Sequence, residues 1–541
     1  MTQCLLEQGV DTVFGYPGST VLDIYDEIYL CGRRLKHILT SHEQAAAHAA
    51  DGYARISGKP GVCIATSGPG ATNLVTGIAA AYMDSSPVVF ITGNVAEDRI
   101  GKDSFQEVDI TGIAMPITKS TYLVRSAEKL PHVMRQAFAV ACGGRPGPVL
   151  IDILSSVTNK RVRGEYEPAE PVRIPAAPAA QTDVDTFAGM AAKASKPLIL
   201  AGGGVIRSGA ADDLVRLARK LSAPVCTTLM GLGIAEADDP INMGMAGMHG
   251  TYAARTLLNE CDMLVAVGVR FSDRLAPDPE KFAPSARIVH IDIDRAEIEK
   301  NVRADHYIVA DASLALRQLC EALPRKDCPE WMEHARRLRA RTERKSPAAR
   351  AIIEEIARQT DKDAIIATDV GQHQLWTCQY YPFSRPGQLV TSGGYGAMGF
   401  GLSAAVGAQI AAKDRRVIHI TGDGSFRMNC GELATTAAYG LPVVTVILNN
   451  GVLGMVRQWQ TLLYNGRYSQ TNLDRGPDFS ALARAYGVGA YKAEDLQEFK
   501  TAFSDALGCG KAAVIDCRIP EDDMVAPSFF GPDFTDITSE V

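Results

Sequence analysis

Short runs of valine and isoleucine recur along the chain, separated by longer alanine-rich segments with apolar residues at helical spacing. The short runs predict buried strands, and the longer segments predict amphipathic helices. Strands that alternate with helices are typical of parallel sheets with crossover helices. The pattern therefore predicts an α/β protein built from doubly wound parallel sheets.

Two connectors divide this pattern into thirds. The first, residues 165–182, is rich in proline and alanine and suits an extended linker. The second, residues 324–347, is charged and has helical periodicity. A chain of 541 residues is long enough for about three domains. We predict domains over residues 1–164, 183–323 and 348–541.

The outer thirds resemble each other. "GVCIATSGPGATNLVTGIAAAYMDSSPVVFITGN" and "RVIHITGDGSFRMNCGELATTAAYGLPVVTVILNN" share a strand, a glycine turn, a helix and a proline (Pro87 or Pro442) before the next strand. This similarity predicts one unit that appears twice. Only the second copy carries Asp423 and the pair Asn449 and Asn450.

The acidic turn and the asparagine pair follow successive strands of the second copy. Carboxylate and amide oxygens near a helix start suit Mg²⁺ bridging a phosphate group, because Mg²⁺ takes few protein oxygens plus phosphate oxygens. Asp423 would supply the carboxylate, Asn450 the amide oxygen, and the backbone carbonyl near Val452 a third ligand. The alternative is an acidic turn without a metal.

Composition narrows the functional classes. A net charge of -7 argues against a nucleic-acid partner. The basic run from Arg336 to Lys345 is interrupted at helical spacing, which favours a solvated helix face over a docking surface. No uninterrupted apolar stretch could span a membrane and the first residues do not resemble a signal peptide, so we expect a cytoplasmic protein. The 12 cysteines lack zinc spacing and are expected to be reduced thiols.

Several motifs together carry a family resemblance. The GDG turn followed by NN is the thiamine diphosphate signature, and a repeated unit around a middle domain is similar to the pyruvate oxidase and decarboxylase group. "SHEQAAAHAADGYAR", "DSFQEVD", "GYGAMGFG" and "LGMVRQWQ" resemble acetohydroxyacid synthase (acetolactate synthase) catalytic subunits. The resemblance covers nearly the whole chain and implies thiamine diphosphate, Mg²⁺ and FAD as cofactors.

The resemblance assigns thiamine chemistry to particular residues. Glu43 would hydrogen-bond the aminopyrimidine ring and drive its imino tautomer, and Met398 would hold the cofactor folded. The alternatives are a capping or surface glutamate and a core methionine. The implied diphosphate-binding residues are Gln372, His373, Gly422, Gly424 and Ser425, although His373 could instead be structural.

Substrate roles follow from the same resemblance. Phe105 and Gln106 would reach a cavity shared with a second subunit, which implies a homodimer or homotetramer with interfacial active sites. Arg274 would clamp the acceptor carboxylate, or alternatively form a domain-interface salt bridge. Trp459 would favour 2-ketobutyrate over pyruvate as acceptor. Whether a small regulatory subunit binds is left open.

The middle third resembles the FAD site of the biosynthetic enzymes. Because the implied reaction has no net redox step, the flavin would have a structural or vestigial role. The implied residues are Gly202, Gly203, Gly204, Thr228, Leu229, Met230, Gly247, Met248, His249, Arg270, Phe271, Asp292, Ile293 and Asp311.

Four positions depart from the family pattern. Ser155 stands where a lysine near the substrate channel is usual, and Ser19 replaces a turn glycine. Ser272 replaces an aspartate beside the flavin, and Ala96 stands where proline is common. These differences bear on acceptor choice, inhibitor sensitivity and flavin affinity, and they leave the thiamine residues intact.

The resulting hypothesis is an acetohydroxyacid synthase catalytic subunit that converts pyruvate, alone or with 2-ketobutyrate, into 2-acetolactate or 2-aceto-2-hydroxybutyrate for branched-chain amino acids. One alternative is a related 2-keto acid decarboxylase or flavin-dependent pyruvate oxidase. Another is a non-catalytic paralogue, although the presence of Glu43, Asp423 and Asn450 argues against it.

Overall fold

Three six-stranded sheets form the framework, and every strand in them runs parallel to its neighbours. The computed structural model of the protein describes residues 1–160, 166–341, 347–473 and 475–525. The prediction of an α/β protein with three doubly wound parallel sheets is confirmed.

The first unit has the strand order β2-β1-β3-β4-β6-β5. Its elements are α1 (Thr2–Glu7), β1 (Thr12–Gly15), α2 (Leu22–Cys31), β2 (Lys36–Leu39), α3 (Glu43–Ser57), β3 (Gly61–Ala65), α4 (Pro69–Thr72), α5 (Val75–Met83), β4 (Val88–Asn94), α6 (Ile110–Ala114), β5 (Ser120–Val124), α7 (Leu130–Cys142), β6 (Val149–Leu154) and α8 (Ser155–Thr158).

The central unit has the order β12-β11-β10-β7-β8-β9. Its elements are α9 (Gln181–Lys193), β7 (Pro197–Ala201), α10 (Gly203–Arg207), α11 (Ala211–Leu221), β8 (Val225–Thr227), β9 (Asn242–Met245), α12 (Tyr252–Glu260), β10 (Met263–Val267), β11 (Arg287–Asp292), β12 (His306–Val309), α13 (Ala312–Ala322) and α14 (Pro329–Arg339).

The third unit has the order β14-β13-β15-β16-β18-β17, which repeats the topology of the first and confirms the predicted repeat. Its elements are α15 (Ala348–Gln359), β13 (Ile365–Thr368), α16 (Gln372–Tyr380), β14 (Leu389–Val390), α17 (Phe400–Ala411), β15 (Val417–Gly422), α18 (Asp423–Asn429), α19 (Leu433–Ala438), β16 (Val444–Asn449), α20 (Gly454–Tyr464), α21 (Phe479–Ala485), β17 (Gly489–Ala493), α22 (Leu496–Gly508) and β18 (Ala513–Arg518).

Helices cover both faces of each sheet, which explains why the strands are apolar along their length instead of alternating. In β10, Val265 and Val267 pack in one core cluster, whereas Leu264 and Ala266 pack in a second cluster on the opposite face. The sequence pattern therefore reflects sheets that are buried on both sides.

The first and third units share one hydrophobic core, in which α3 packs against α17. A Cβ atom placed on Gly52 would overlap the carbonyl oxygen of Ala404, and one placed on Gly407 would overlap that of Ala49. The two helix backbones thus approach so closely that only glycine fits at either crossing point.

The connectors have different structures. Residues 166–180 contain no helix or strand, whereas α14 lies inside the predicted helical connector. Residues 161–165 and 342–346 lie outside the described residues, as do 526–541, so part of the basic run and the ends of two predicted domains fall there. The domain limits stay predictions.

All 12 cysteines are free thiols. Among the described residues, no helix is both long enough and apolar enough to cross a membrane.

Candidate active site

The acidic turn of the third unit lies at the carboxyl edge of its sheet. Strand β15 ends at Gly422, and Asp423 is the first residue of α18. Only 2% of Asp423 is exposed, and its Oδ2 has no hydrogen-bond partner among the described residues. Burial raises the pKa of this carboxyl to about 6. A buried carboxylate oxygen without a partner fits a cation ligand, because an unpaired buried charge is costly.

Asn450 follows the neighbouring strand. Gly422 pairs with Leu448 in the β15–β16 register, so Asp423 and Asn450 leave adjacent strand ends. Asn450 Oδ1 accepts a hydrogen bond from the backbone amide of Val452 at 3.2 Å, and its Nδ2 donates to Gln372 Oε1 at 3.3 Å. The structure therefore places Asn450, Val452 and Gln372 together.

Asn449, the first residue of the pair, has a different environment. Its Nδ2 donates to Asp516 Oδ1 at 2.8 Å, and its Oδ1 accepts from Arg518 Nη1 at 3.1 Å. Asp516 and Arg518 belong to β18, so Asn449 joins β16 to β18, and its Oδ1 also accepts from Gly451 N at 3.2 Å.

His373 lies beside the same strand end. Its Nδ1 would be 2.9 Å from a Cβ on Gly422, and its Nε2 has no hydrogen-bond partner among the described residues. Burial lowers the pKa of His373 to about 4, so the ring is neutral near pH 7. Ser425 Oγ donates to the Val370 carbonyl at 3.0 Å. The unpaired ring nitrogen fits a hydrogen bond to a bound anionic group.

The loop 391–399, which connects β14 to α17 and carries Met398, approaches the acidic turn. The Cε atom of Met398 would lie 4.0 Å from a Cβ on Gly424, and Leu453 and Leu473 contact the same position. Met398 is thus beside the acidic turn, and its role toward a cofactor stays a prediction.

The implied magnesium ligands are one carboxylate, one amide and one backbone carbonyl. In the described ranges, no cluster of three or more His, Cys, Asp and Glu side chains could hold a metal. The residues present fit Mg²⁺, which binds few protein ligands when phosphate oxygens complete its shell.

Glu43 belongs to the first unit. It is the first residue of α3, and the His42 ring caps the helix by accepting a hydrogen bond from Gln44 N. Glu43 Oε2 accepts from Asn73 Nδ2 at 2.9 Å, and a Cβ on Gly70 would lie 3.3 Å from Glu43 Oε1. Glu43 is half-buried. In the described part of the chain, no hydrogen bond joins its carboxylate to the third sheet.

Gln106 lies beside Gly68, which follows strand β3 of the first unit, and Phe105 precedes Gln106 in the chain. Gln106 has a φ of +60°, and its Cβ would be 2.8 Å from a Cβ on Gly68. Phe105 is 86% exposed. A left-handed residue beside an exposed phenylalanine is strained backbone of the kind that occurs at binding sites.

The two predicted acceptor residues occupy different units. Trp459 is partly exposed on α20 of the third unit. Arg274 of the central unit is 71% exposed, and its ion pair is with the adjacent Asp273 at 3.8 Å. Among the described residues Arg274 has no ion pair with another unit, so the carboxylate clamp stays a prediction.

The predicted flavin residues gather at the carboxyl edge of the central sheet. Its strand order reverses between β10 and β7, where Cβ atoms on Gly202 and Gly204 would meet Gly268. Nucleotides bind in such a crevice. Thr227 Oγ1 is buried at this edge without a partner among the described residues. The crevice and the unpaired hydroxyl fit a dinucleotide.

Individual flavin residues differ in their surroundings. Burial raises the pKa of Asp292, which ends β11, to about 6. Asp311 caps α13 by accepting from Leu314 N at 3.1 Å. The Phe271 ring packs in the core against Phe282 and His290, so the ring itself does not line the edge.

The four departures are accommodated locally. Ser19 and Ser272 have no positive φ, so the side chain that replaces glycine at Ser19 strains no backbone. Ser155 begins α8, and Ala96 has a φ of -65°, which proline could also adopt.

Sequence reasoning missed two residues at the site. Asn73 lies in the motif "SGPGATNLV", but nothing in its spacing indicates the bond to Glu43. Gln458 precedes Trp459, and its Oε1 accepts from Gln372 Nε2 at 3.1 Å. The side chain of Gln458 is buried although most of α20 is at least partly exposed. This burial becomes visible only in the structure, so the sequence alone could not indicate the role of Gln458.

Comparisons with known proteins agree with this geometry. Three family models match: the N-terminal TPP binding domain of thiamine pyrophosphate enzymes over residues 1–113, the central domain over 184–319, and the C-terminal TPP binding domain over 369–517. The fold and the site thus define a thiamine pyrophosphate enzyme.

Comparison with individual proteins shows to which family of thiamine pyrophosphate enzymes the chain belongs. The probable acetolactate synthase large subunit of Methanocaldococcus jannaschii is 46% identical over 96% of this chain and 90% of its own length. The large subunits of Escherichia coli acetolactate synthase isozymes 2 and 3 are 44% and 43% identical, over 97% and 94% of this chain and 96% and 91% of their own lengths. The chain belongs to the family of acetolactate synthase large subunits.

Proposed function

We propose that the protein is the catalytic subunit of an acetohydroxyacid synthase that uses thiamine diphosphate, Mg²⁺ and FAD. It decarboxylates pyruvate and transfers the two-carbon unit to a second pyruvate or to 2-ketobutyrate. The products are 2-acetolactate and 2-aceto-2-hydroxybutyrate, precursors of branched-chain amino acids. The observation that carries the proposal is the buried, unpartnered Asp423 oxygen, in a chain of this family, at a strand end adjacent to the one that Asn450 follows.

Asp423, Asn450 and the Val452 carbonyl would hold Mg²⁺, and Gln372 and His373 would bind the diphosphate. The neutral His373 ring can donate one hydrogen bond without adding charge. The metal would neutralise the phosphate charge next to the ionised Asp423.

When bound, thiamine diphosphate would supply a carbon nucleophile and an electron sink for the electron pair that is left behind when CO₂ departs. Glu43 would hold a proton at the aminopyrimidine ring. Asn73 keeps its carboxylate in place through the 2.9 Å hydrogen bond. Met398 would contact the cofactor and support its folded conformation.

A homodimer completes the site in this proposal. Glu43 belongs to the first sheet and Asp423 to the third, and the exposed ring of Phe105 is available to a second chain. Two chains related by a twofold axis would each complete the other's site, and a tetramer would contain two such pairs. A small regulatory subunit is a further partner that co-purification would detect.

FAD would bind the crevice between β7 and β10 of the central sheet. Because the proposed reaction has no net redox step, the flavin would have a structural or vestigial role. We expect a yellow protein whose flavin spectrum is unchanged during turnover. Purified protein that cannot be loaded with FAD would refute this part alone.

Product analysis tests the main proposal. Protein loaded with thiamine diphosphate, Mg²⁺ and FAD is incubated with pyruvate, with and without 2-ketobutyrate, and with Asp423→Ala as the inactive control. We expect acetolactate from pyruvate alone and 2-aceto-2-hydroxybutyrate when both substrates are present. Acetaldehyde or peroxide as the main product would instead support a decarboxylase or an oxidase.

A further inference from the structure

The Asp84 carboxylate is buried where all three units meet, outside the cofactor-contacting residues. Asp84 follows α5 of the first unit, and its side chain has no exposed surface. Its Oδ1 accepts from Gly394 N at 2.7 Å, and its Oδ2 accepts from Gly393 N at 3.2 Å. One carboxylate of the first unit therefore binds two consecutive amides of the third.

Opposite charges compensate this buried carboxylate. Arg55 Nη2 donates to Asp84 Oδ2 at 3.0 Å, and the same guanidinium makes two 2.8 Å hydrogen bonds to Asp51. Arg207 of the central unit donates to the Asp84 carbonyl at 2.6 Å and to Ser86 Oγ at 3.1 Å. The cluster pairs two carboxylates with two guanidinium groups, and such pairing offsets the cost of burying each charge.

The two amides begin the loop that carries Met398. This loop connects β14 to α17. Arg55 Nη1 donates to the Thr391 carbonyl at 2.6 Å at its start, and Gly401 N donates to Asp369 Oδ1 at 2.9 Å just beyond its end. The loop is therefore fixed on both sides of Met398.

Residues of the central unit pack against the same pair, Gly393 and Gly394. A Cβ on Gly393 would overlap the Met230 sulfur. One on Gly394 would lie 2.8 Å from Arg270 Nη2 and 2.9 Å from Asp84 Oδ1. The glycine pair occupies a slot whose walls come from the first and central units, so Asp84 defines the position of the loop within that slot.

We propose that Asp84 is a positioning residue for the thiamine reaction. Its carboxylate fixes the position of the loop Thr391–Gly399 and thereby the position of the Met398 side chain. Asp84 itself would not touch the cofactor. The inference rests on the proposed function, because Met398 matters only if it supports a bound thiamine diphosphate. A small displacement of such a support is costly, since catalytic groups tolerate little misplacement.

Exchange of the thiazolium C2 proton tests this role directly. The rate is measured in D₂O on cofactor-saturated protein, well below the unfolding temperature, by acid quench and NMR. In Asp84→Asn, the amide would present its NH₂ to a backbone amide or to Arg55. We expect C2 exchange and kcat to fall together, about tenfold or more. Thiamine diphosphate affinity and the KM for pyruvate should change less than about threefold, because other residues bind them.

Two further variants separate positioning from stability. Gly394→Ala leaves every charge in place but crowds the slot, so it should reproduce the slow exchange, and it decides the question if Asp84→Asn does not fold. Asp213→Asn removes a mostly buried carboxylate that binds Arg216 and Arg317 within the central unit and has no bond to the loop or to Arg55. It should lower the unfolding temperature and leave C2 exchange near the wild-type rate.

Wild-type exchange in both Asp84→Asn and Gly394→Ala would overturn the inference, as would equal slowing in Asp213→Asn. The readout does not depend on the product formed. A wild-type protein that exchanges the C2 proton but makes no acetolactate would contradict the proposed function and leave the role of Asp84 measurable.

Discussion

The two carboxylates assigned to the proposed reaction differ in their surroundings. Glu43 is half-buried and accepts a hydrogen bond from Asn73, whereas Asp423 is buried with one unpartnered oxygen. A carboxylate that holds a ring proton must be fixed in one orientation. A carboxylate that binds a metal needs an oxygen lone pair that no hydrogen bond occupies. Each environment suits the role proposed for the carboxylate within it.

Glu43→Gln should separate cofactor binding from turnover. Glutamine has the same shape and can still accept from Asn73, but it cannot hold the ring proton. We expect unchanged Mg²⁺ and thiamine diphosphate titrations with kcat reduced about 100-fold or more. Asn73→Ala is a useful companion, because it should lower kcat less. Near-normal turnover in Glu43→Gln would contradict the assignment.

Trp459 and Ser155 should affect acceptor choice differently. Trp459 is proposed to select the acceptor by shape, so Trp459→Leu should shift products toward acetolactate in competition assays with fixed pyruvate and varied 2-ketobutyrate. Ser155→Lys adds a charge that attracts both keto acids, so it should lower both apparent KM values by similar factors, more at low salt. The assignment fails if Ser155→Lys moves the product ratio and Trp459→Leu does not.

Asp152 gives a pH prediction. It is buried between Thr92 Oγ1 and Asn94 Nδ2, and burial raises its pKa to about 6 despite these hydrogen bonds. The folded state therefore keeps its proton more strongly than the unfolded state, and the resulting stability is lost as pH rises from about 4 through about 6. Asp152→Asn removes this dependence.

Urea unfolding at about pH 5 and about pH 7 measures the effect. The stability advantage of wild type over Asp152→Asn should be larger at pH 5, by about 1 kcal/mol, since one pKa unit corresponds to about 1.4 kcal/mol. An equal difference at both pH values would show that Asp152 titrates normally. Asp26→Asn, which alters an exposed carboxyl, is the control.

At the scale of elements, the sequence predicted strand ends better than contacts between elements. Asp423 and Asn450 could be placed because each directly follows a buried apolar run, and local pattern determines where such runs end. The bond from Asn73 to Glu43 and the bonds from Asp84 to the glycine pair could not, because they depend on how helices and loops pack. Phe271 shows the same limit: its motif was recognised, but its ring packs in the core.

The crossing of α3 and α17 gives a prediction at this scale. Gly407→Ala would drive a methyl group into the Ala49 carbonyl, which cannot move without shifting α3. We expect a loss of about 1–3 kcal/mol or more, seen as a lower thermal midpoint. Gly189→Ala on α9 is the matched control: that site is exposed with open space around it, so helix propensity should make the change neutral or stabilising. Equal effects would show that the helices can separate.

At the scale of the whole molecule, the repeated topology and the three units could be predicted because each unit is encoded by its own alternation of strands and helices. Their mutual arrangement could not be predicted, since the surfaces that meet come from distant segments. The shared core of the first and third units is one example.

Mixing two inactive variants tests whether the site lies between chains. In a hybrid of Glu43→Gln and Asp423→Ala chains, one interfacial site has both substitutions and the other has neither. Random reassociation should therefore restore about a quarter of wild-type activity, because half of the dimers are hybrids with one intact site. Unmixed variants treated identically are the controls. If both residues acted within one chain, mixing would restore nothing.

The contact between α3 and α17 has the form that identical subunits make across a twofold axis. Gly52 meets Ala404 and Gly407 meets Ala49, and Gly407 follows Ala404 at the same spacing as Gly52 follows Ala49. In a symmetric dimer, one patch meets its own copy in this reciprocal way. Here both copies belong to one polypeptide.

Glu43 precedes Gly52 by the same number of residues as Met398 precedes Gly407. In a dimer of one gene product, every substitution appears in both halves, so a carboxylate and a thioether could not be fixed separately at one position. Joining the halves in a single gene removes that restriction. The fused chain can give equivalent positions opposite chemical characters, a hydrogen-bonding acid in one half and an apolar support in the other.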